Sequence, residues 1–328
     1  MRLNSYRYFI FIKYFAGQKL VPFFPLPLLY KHLISTMIKE IPHISFETKF
    51  PEINGVEIFP IENLIERKTL LEHNPEKAHQ LEFYMLIFFT NGTSKHLVDF
   101  VWHEVKENTV IYLTKGQVNA FHFKKEIKGF MLLFTEEYFN DQLSKLPNDT
   151  ILRLFTSHLF SPKIQIPESS NAGDYIRLFF HEFYKEKGAF NKKNVINNLY
   201  NIIFSKLESL KQHQTFYLKD SNKLKTFLTF KTLLEKNYSK SRNADFYASL
   251  LNITYKHLNS ICKEVINQTT KQFIDDFIIL EAKRNLINSS IKSTELAYSM
   301  GFEESSNFVK YFKKHTGLTP NNFKKEHK

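Results

Sequence analysis

The 328-residue chain contains one cysteine, Cys262. A single thiol excludes an internal disulfide and any zinc site built from several thiolates. It also suits a reducing, cytoplasmic compartment, where disulfide frameworks are rare. A long apolar run is missing too. The first 36 residues come nearest, with Tyr8, Phe9, Ile10, Phe11 and Ile12 in succession, but Arg7, Lys13, Lys19, Pro22, Pro25 and Pro27 interrupt them. No stretch reaches the roughly 18 residues that a spanning helix needs, so no membrane partner is expected. No small-residue cleavage site follows, which argues against a secretory signal. Residues 1–36 are therefore expected to be a doubtful extension, with translation beginning at Met37; the mass of the native protein tests this. The chain also has no phosphate-cradling glycine loop, no dinucleotide fingerprint and no nucleophile triad. The expectation is a protein that is not an enzyme and holds no cofactor.

What is present begins with charge. Lys and Arg number 45 against 33 Asp and Glu, a formal net charge of +12. From Lys219 to the end there are 19 basic and 11 acidic residues, so 19 − 11 = +8 falls on about a third of the chain. Such a field attracts polyanions through counterion release at phosphates. It also serves a solvated surface, and charge alone leaves both readings open. With 34 Phe and 43% hydrophobic residues, the chain can bury the cores of about two domains.

Between Leu81 and Phe134 the pattern is that of strands. An apolar and aromatic run, Leu81–Thr90, ends at Asn91-Gly92, a strong turn signal. His96–Trp102, Thr109–Leu113, Val118–Phe123 and Phe130–Phe134 follow, with Gly116 as a further break. Short strands spaced by turns predict a small β-barrel or sandwich. From Glu136 to about Gln212 the period becomes helical. Ile176, Phe179, Phe180 and Phe183 recur at helix spacing, as do Ile196, Leu199, Ile202, Ile203 and Leu207. Those stripes could be buried on each other, on the barrel or on a second subunit. The last reading makes Ile196, Leu199, Ile203 and Leu207 a homodimer contact. Residues 213–223 are polar and read as a linker.

The carboxy-terminal third carries one mechanical device twice. Asp245–Leu251 reads as a short helix with Ala248 where another helix must come close, and Asn252-Ile253 as a turn. Thr254 can cap the next helix by accepting from a free backbone N–H. In that helix Leu258 and Ile261 face inward, leaving Lys256, Asn259, Ser260 and Lys263 outside. About fifty residues later, Glu295–Met300 is a helix ended by Gly301, which suits a left-handed cap. Phe302, Glu303 and Glu304 turn into a helix from Ser305, with Phe308 and Phe312 inward and Ser306, Asn307 and Lys310 outward. Apolar residues that hold a helix while polar ones are offered to base edges make a recognition helix. A rod from Phe273 to about Asn288, roughly 24 Å long at about 1.5 Å per residue, separates the two. It could set them about one DNA turn apart, near 34 Å.

The segment Ala297-Tyr-Ser-Met-Gly-Phe-Glu-Glu-Ser-Ser-Asn-Phe-Val-Lys-Tyr-Phe-Lys-Lys-His-Thr-Gly-Leu-Thr-Pro320 strongly resembles the signature of the AraC/XylS family of bacterial transcription regulators. Leu280-Glu-Ala-Lys-Arg284 is similar to that family's linking helix, and the resemblance runs in order from about Leu224 to Lys325. It implies that Lys256, Asn259 and Ser260 read bases in the first unit, that Ser306, Asn307 and Lys310 do so in the second, and that Lys263, Lys313 and Lys314 meet phosphates. A solvated amide or lysine is the plainer alternative for each. Two departures stand out: Phe277-Ile278 where the family often carries an arginine, and Asn267 where a glycine is usual. Asn enters the left-handed region more readily than most residues. The first unit is expected to read DNA more loosely. Cys262, Tyr298 and Tyr311 are expected to pack.

His96-Leu-Val-Asp-Phe100 and Gly116-Gln-Val-Asn119 look like the cupin-type sensory domain often paired with this DNA-binding unit. Cupins can hold metal through histidines on neighbouring strands, and histidines stand at 73, 79, 96, 103 and 122. Asn119 stands where many relatives have histidine, and satisfied or surface imidazoles are the plainer reading. Phe83, Phe89, Phe100, Trp102 and Phe121 either line a pocket or fill the core. The expected fold is α+β: a cupin-like β-barrel over 37–135, helices over 136–212, the linker, and an all-α domain over 224–328 with two helix-turn-helix units. The expected function is sequence-specific binding of double-stranded promoter DNA, controlled by a small-molecule effector in the barrel, with RNA polymerase as a partner if it activates. The alternative is a metal-dependent cupin enzyme with a helical appendage, dependent on His96 or His103.

Overall fold

The computed structural model describes residues 43–46, 53–71, 73–124, 126–143, 154, 161–185, 191–212, 221–288 and 291–327. The extension 1–36, the start at Met37 and the linker residues 213–220 lie outside the described residues. The described residues form two compact units, one running to Leu210 and the other from Lys211.

Among the described residues ten strands build the amino-terminal unit: β1 (His43–Ile44), β2 (Val56–Pro60), β3 (His79–Leu81), β4 (Tyr84–Asn91), β5 (Ser94–Val98), β6 (Val101–Val105), β7 (Thr109–Leu113), β8 (Val118–His122), β9 (Lys128–Phe134) and β10 (Lys163–Gln165). They pair into two five-stranded sheets, ordered β1-β3-β8-β5-β6 and β10-β7-β4-β9-β2. The barrel expected from the sequence is thus two sheets with no closed ring. Among the described residues no strand of one pairs with a strand of the other, and the space between them is filled by Phe59, Met85, Ile87, Phe121, Met131 and Leu133.

The second sheet is buried on both faces, which explains its unbroken apolar runs. Along β4, Met85, Ile87 and Phe89 join the core shared with the first sheet, while Leu86 and Phe88 join another on the opposite face. β7 and β9 alternate alike, with Val110, Tyr112, Leu132 and Phe134 on that opposite face. Two helices cover it, α3 (Ala172–Tyr184) and α4 (Lys192–Gln212); α1 (Ile61–Arg67) and α2 (Glu136–Leu143) precede them in the chain. Ile196, Leu199, Ile203 and Leu207 are buried in this core beside Phe134 and Tyr138. The proposed dimer stripe is therefore spent inside the unit. The sheet supplies the apolar surface that the stripe requires.

Two local expectations change. His96–Trp102 is not one strand: Asp99 (φ 45°) and Phe100 (φ 70°) turn β5 into β6 as a two-residue hairpin. Asp99 holds that turn by accepting from Gln117 Nε2 at 2.7 Å and from the Val118 N–H at 3.2 Å. The three-residue β10 lies inside the stretch expected to be helical.

The carboxy-terminal unit is helical: α5 (Ser221–Asn237), α6 (Ala244–Leu250), α7 (Tyr255–Ile266), α8 (Thr270–Asn288), α9 (Ser293–Ser299), α10 (Ser305–Thr316) and α11 (Pro320–His327). α5 packs on α6 and α7, and α8 touches α6, α7, α9, α10 and α11. Phe227, Phe230 and Phe273 meet at 5.2–6.1 Å between ring centroids and hold the first half, with Tyr247 5.6 Å from Phe230. Phe302, Phe308, Phe312 and Phe323 form a chain of rings through the second.

Candidate nucleic-acid interface

A side-chain cap starts the first candidate recognition helix, and a left-handed residue stops each of the two. Thr254 Oγ1 accepts from the His257 N–H at 3.2 Å, the cap expected from the sequence. Asn267 ends α7 at φ 54°, and Gly317 ends α10 at φ 77°. Leu258 and Ile261 in α7, and Phe308 and Phe312 in α10, are fully buried. The turns differ in length. The left-handed residue lies two before the cap in the first unit (Asn252, Thr254) and three before it in the second (Gly301, Glu304).

The two helices share one register. Leu258 and Phe308, Cys262 and Phe312, and the end residues Asn267 and Gly317 correspond at a constant offset of 50. At that offset exposed positions coincide: Lys256, His257, Ser260, Lys263 and Glu264 on α7 match Ser306, Asn307, Lys310, Lys313 and Lys314 on α10. His257 therefore takes the place of Asn307, and sequence reasoning missed it. Counting from the buried Leu258 and Phe308 would have found it, since each is preceded by two exposed residues.

Asn259 falls off this face. It corresponds to the half-buried Val309, and its Oδ1 accepts from the Thr270 N–H at 3.0 Å. Thr270 is the first residue of α8, so the amide satisfies one of the orphan donors at that helix's start. Asn259 holds the spacer to the recognition helix. The eight other predicted residues are exposed on the two faces.

The faces differ in charge. On α7, Ser260 donates to Glu264 Oε1 at 3.1 Å, and the other oxygen of Glu264 is 2.6 Å from Lys223 Nζ. On α10 the matching position is Lys314, and Ser306 donates to Glu304 at 3.0 Å. The second unit presents the stronger positive field to a polyanion. Such exposed pairs contribute little to stability but shape which surface attracts phosphate.

What fixes the units to each other is more than the 19-residue α8, about 28 Å long at the usual rise. Arg242, in the segment between α5 and α6, lies 3.7 Å over the Phe302 ring and donates to the Gly301 carbonyl at 3.3 Å. Tyr311 on α10 donates to Asp275 Oδ1 on α8 at 2.7 Å, and burial with this bond pushes its phenol well above the usual range. Tyr298, expected to pack, is instead 60% exposed. Cys262 is fully buried, and burial pushes its thiol up to about 11, so no thiolate is available at neutral pH.

In the amino-terminal unit the histidines have mixed settings. His79 and His96 are buried, His103 is half-buried and His122 is exposed. Among the described residues no group of three or more His, Cys, Asp or Glu is placed to hold a metal. Phe83 and Phe121 line a cavity of about 60 Å³ together with Phe59, Met131, His73 and His79. Phe89 is core, Phe100 belongs to the hairpin, and Trp102 is 49% exposed.

Comparison with known proteins adds the following. Residues 247–326 match the model of the helix-turn-helix domain family. An HTH-type transcriptional regulator of the cgkA 5′ region of Pseudoalteromonas carrageenovora is 35% identical over 92 residues, 28% of this chain and 54% of that protein. The Msm operon regulatory protein of Streptococcus mutans is 25% identical over 138 residues, 42% of this chain and 49% of that protein. The chain thus spans about half the length of the curated relatives it matches. The crystal structure of ToxT from Vibrio cholerae overlaps 83% of this chain and 98% of ToxT at 12% identity, with a TM-score of 0.43.

Proposed function

We propose, from the premise that the carboxy-terminal domain is an AraC-type helix-turn-helix domain, that the whole chain is a sequence-specific transcription regulator acting on promoter DNA in the cytoplasm. The observation that carries this reading is the shared register of two exposed polar faces on one spacer. Lys256, His257 and Ser260, with Ser306, Asn307 and Lys310, reach base edges in the major groove. Lys263, Lys313 and Lys314 are point charges and meet phosphates, where position matters less. Asn307 can bond adenine through both amide atoms.

Gel shifts on a promoter fragment test this. Asn307→Ala and Lys310→Ala are expected to cost about 1–3 kcal/mol each and to relax sequence preference. Lys313→Ala and Lys314→Ala should weaken all sequences alike and lower the salt slope by about one each. His257→Ala should weaken DNA binding without loss of stability. Asn259→Ala should cost about 1 kcal/mol of stability through the start of α8. Unchanged affinity and unchanged preference in Asn307→Ala would remove the base-reading role of Asn307.

The amino-terminal unit is read as the sensor of a small-molecule effector held in its cavity, which acts by binding one state better than another. A homodimer is read through the faces of α3 and α4 that remain outside the core, where Leu178, Val195 and Ile202 are exposed. Light scattering is expected to give a dimer that Ile202→Lys converts to monomer; a wild-type monomer at micromolar concentration sinks this contact.

A further inference from the structure

We infer that the cavity of the amino-terminal unit takes a small, uncharged molecule with an apolar body and one hydroxyl, held at the His73–His79 pair. The inference rests on the reading of this unit as an effector sensor and supplies the chemistry of that effector.

Three observations support it. First, the side chains of the described wall are apolar apart from Ser45 and two imidazoles, with rings such as Phe59, Phe83 and Phe121 and no Lys, Arg, Asp or Glu. An ionised ligand would lose its hydration there and gain no counter-charge. Second, part of the imidazoles' hydrogen-bonding capacity is unspent. The His73 and His79 rings lie 5.1 Å apart. His79 Nδ1 is 2.9 Å from the Lys77 carbonyl, which can only accept, so Nδ1 carries the proton and Nε2 of the neutral ring is an acceptor. His73 Nδ1 is buried without a partner among the described residues. Buried polar atoms of that kind are rare unless water or a ligand completes them. A hydroxyl can donate to one imidazole nitrogen and accept from the other ring. Third, about 60 Å³ gives about four water positions, so the occupant is small. Burial lowers both imidazoles, His79 to about 4, so the pair stays neutral and offers no cation to a carboxylate.

The test uses the full chain with three probes of similar size: phenol, toluene and benzoate. Calorimetry at pH 7.5 is expected to give phenol roughly tenfold tighter than toluene, the worth of one net hydrogen bond, with benzoate weakest. Nitrogen-15 spectra of histidine-labelled protein should show phenol moving the His73 and His79 ring signals. His79→Phe should erase the preference for phenol over toluene and keep toluene binding. Benzoate equal to phenol, toluene equal to phenol, still histidine signals, or no binding of any probe would each overturn the inference. A variant that fails to fold leaves the spectra of the unaltered chain to decide. The same preparation is run against promoter DNA. Intact DNA binding with no probe bound fails the ligand class alone, whereas loss of DNA binding fails the regulator reading whatever the probes do.

Discussion

Between pH 7 and pH 5 the amino-terminal unit is expected to lose about 4 kcal/mol of stability through two buried imidazoles. Burial is the main cause in both. With a smaller contribution from neighbouring imidazoles, it lowers His79 from 6.5 to about 4, against a hydrogen bond to the Lys77 carbonyl that raises it, and His96 to about 3. Below pH 6.5 the unfolded chain binds protons that the folded chain refuses. Stability is therefore full above about pH 6.5 and falls until the folded values are reached. From pH 6.5 to pH 5 each imidazole loses about 2 kcal/mol. Nothing in the fold relieves His96, whose two ring nitrogens have no partner among the described residues and whose ring stands edge-on to Phe121 at 4.6 Å.

The chain's one tryptophan, Trp102 on β6, reports on this unit. Urea midpoints followed by its fluorescence should drop between pH 7 and pH 5. His96→Leu should remove about half of the drop and cost nothing at pH 7, because it deletes two unsatisfied buried atoms. A midpoint that stays level over that range would show that these imidazoles are not held out of water as the structure has them.

Gly301→Ala is expected to destabilise the carboxy-terminal unit by about 2–4 kcal/mol, against about 1 kcal/mol for Gly317→Ala. Both glycines are left-handed, at φ +76° and +77°, so the backbone cost is shared. Their surroundings are not. A methyl on Gly301 would sit 1.8 Å from the Ser239 carbonyl oxygen, while one on Gly317 meets nothing within 4 Å. The Ser239 carbonyl is backbone and cannot swing away, so the segment carrying Arg242 must move and its contact with Phe302 opens.

Cys262 gives the readout, being the chain's one thiol and fully buried in this unit. Labelling should be slow in wild type, slightly faster in Gly317→Ala and many times faster in Gly301→Ala. Equal rates in the two variants would mean that the close approach at Ser239 is not made in solution. Gly301→Ala should also lose DNA affinity beyond its loss of stability, since the two faces would no longer keep their spacing.

Legibility in the sequence followed the range of the interaction. The Thr254 cap, the left-handed Asn267 and Gly301, and the inward Leu258, Ile261, Phe308 and Phe312 are all set by neighbours within about one helical turn, and each was readable. The unbroken apolar runs of β4 and β9 likewise announced buried strands. The stripe on α4 was as plain, but a stripe states only that something covers it. Here the cover is the second sheet rather than another subunit.

By itself the chain determined that two polar-faced helices follow two short ones, that a long helix separates them, and that strands come first. Tertiary structure decided which polar residues remain on those faces. The side-chain oxygen of Asn259 is taken by the backbone N–H of Thr270, eleven residues away on the next helix, a contact that no local pattern announces. It also decided that the sheets do not close into a ring and that His73 and His79 meet at one cavity. The reason is that a hydrogen bond or a packing contact between distant segments has no period in the sequence and exists only once the chain has folded.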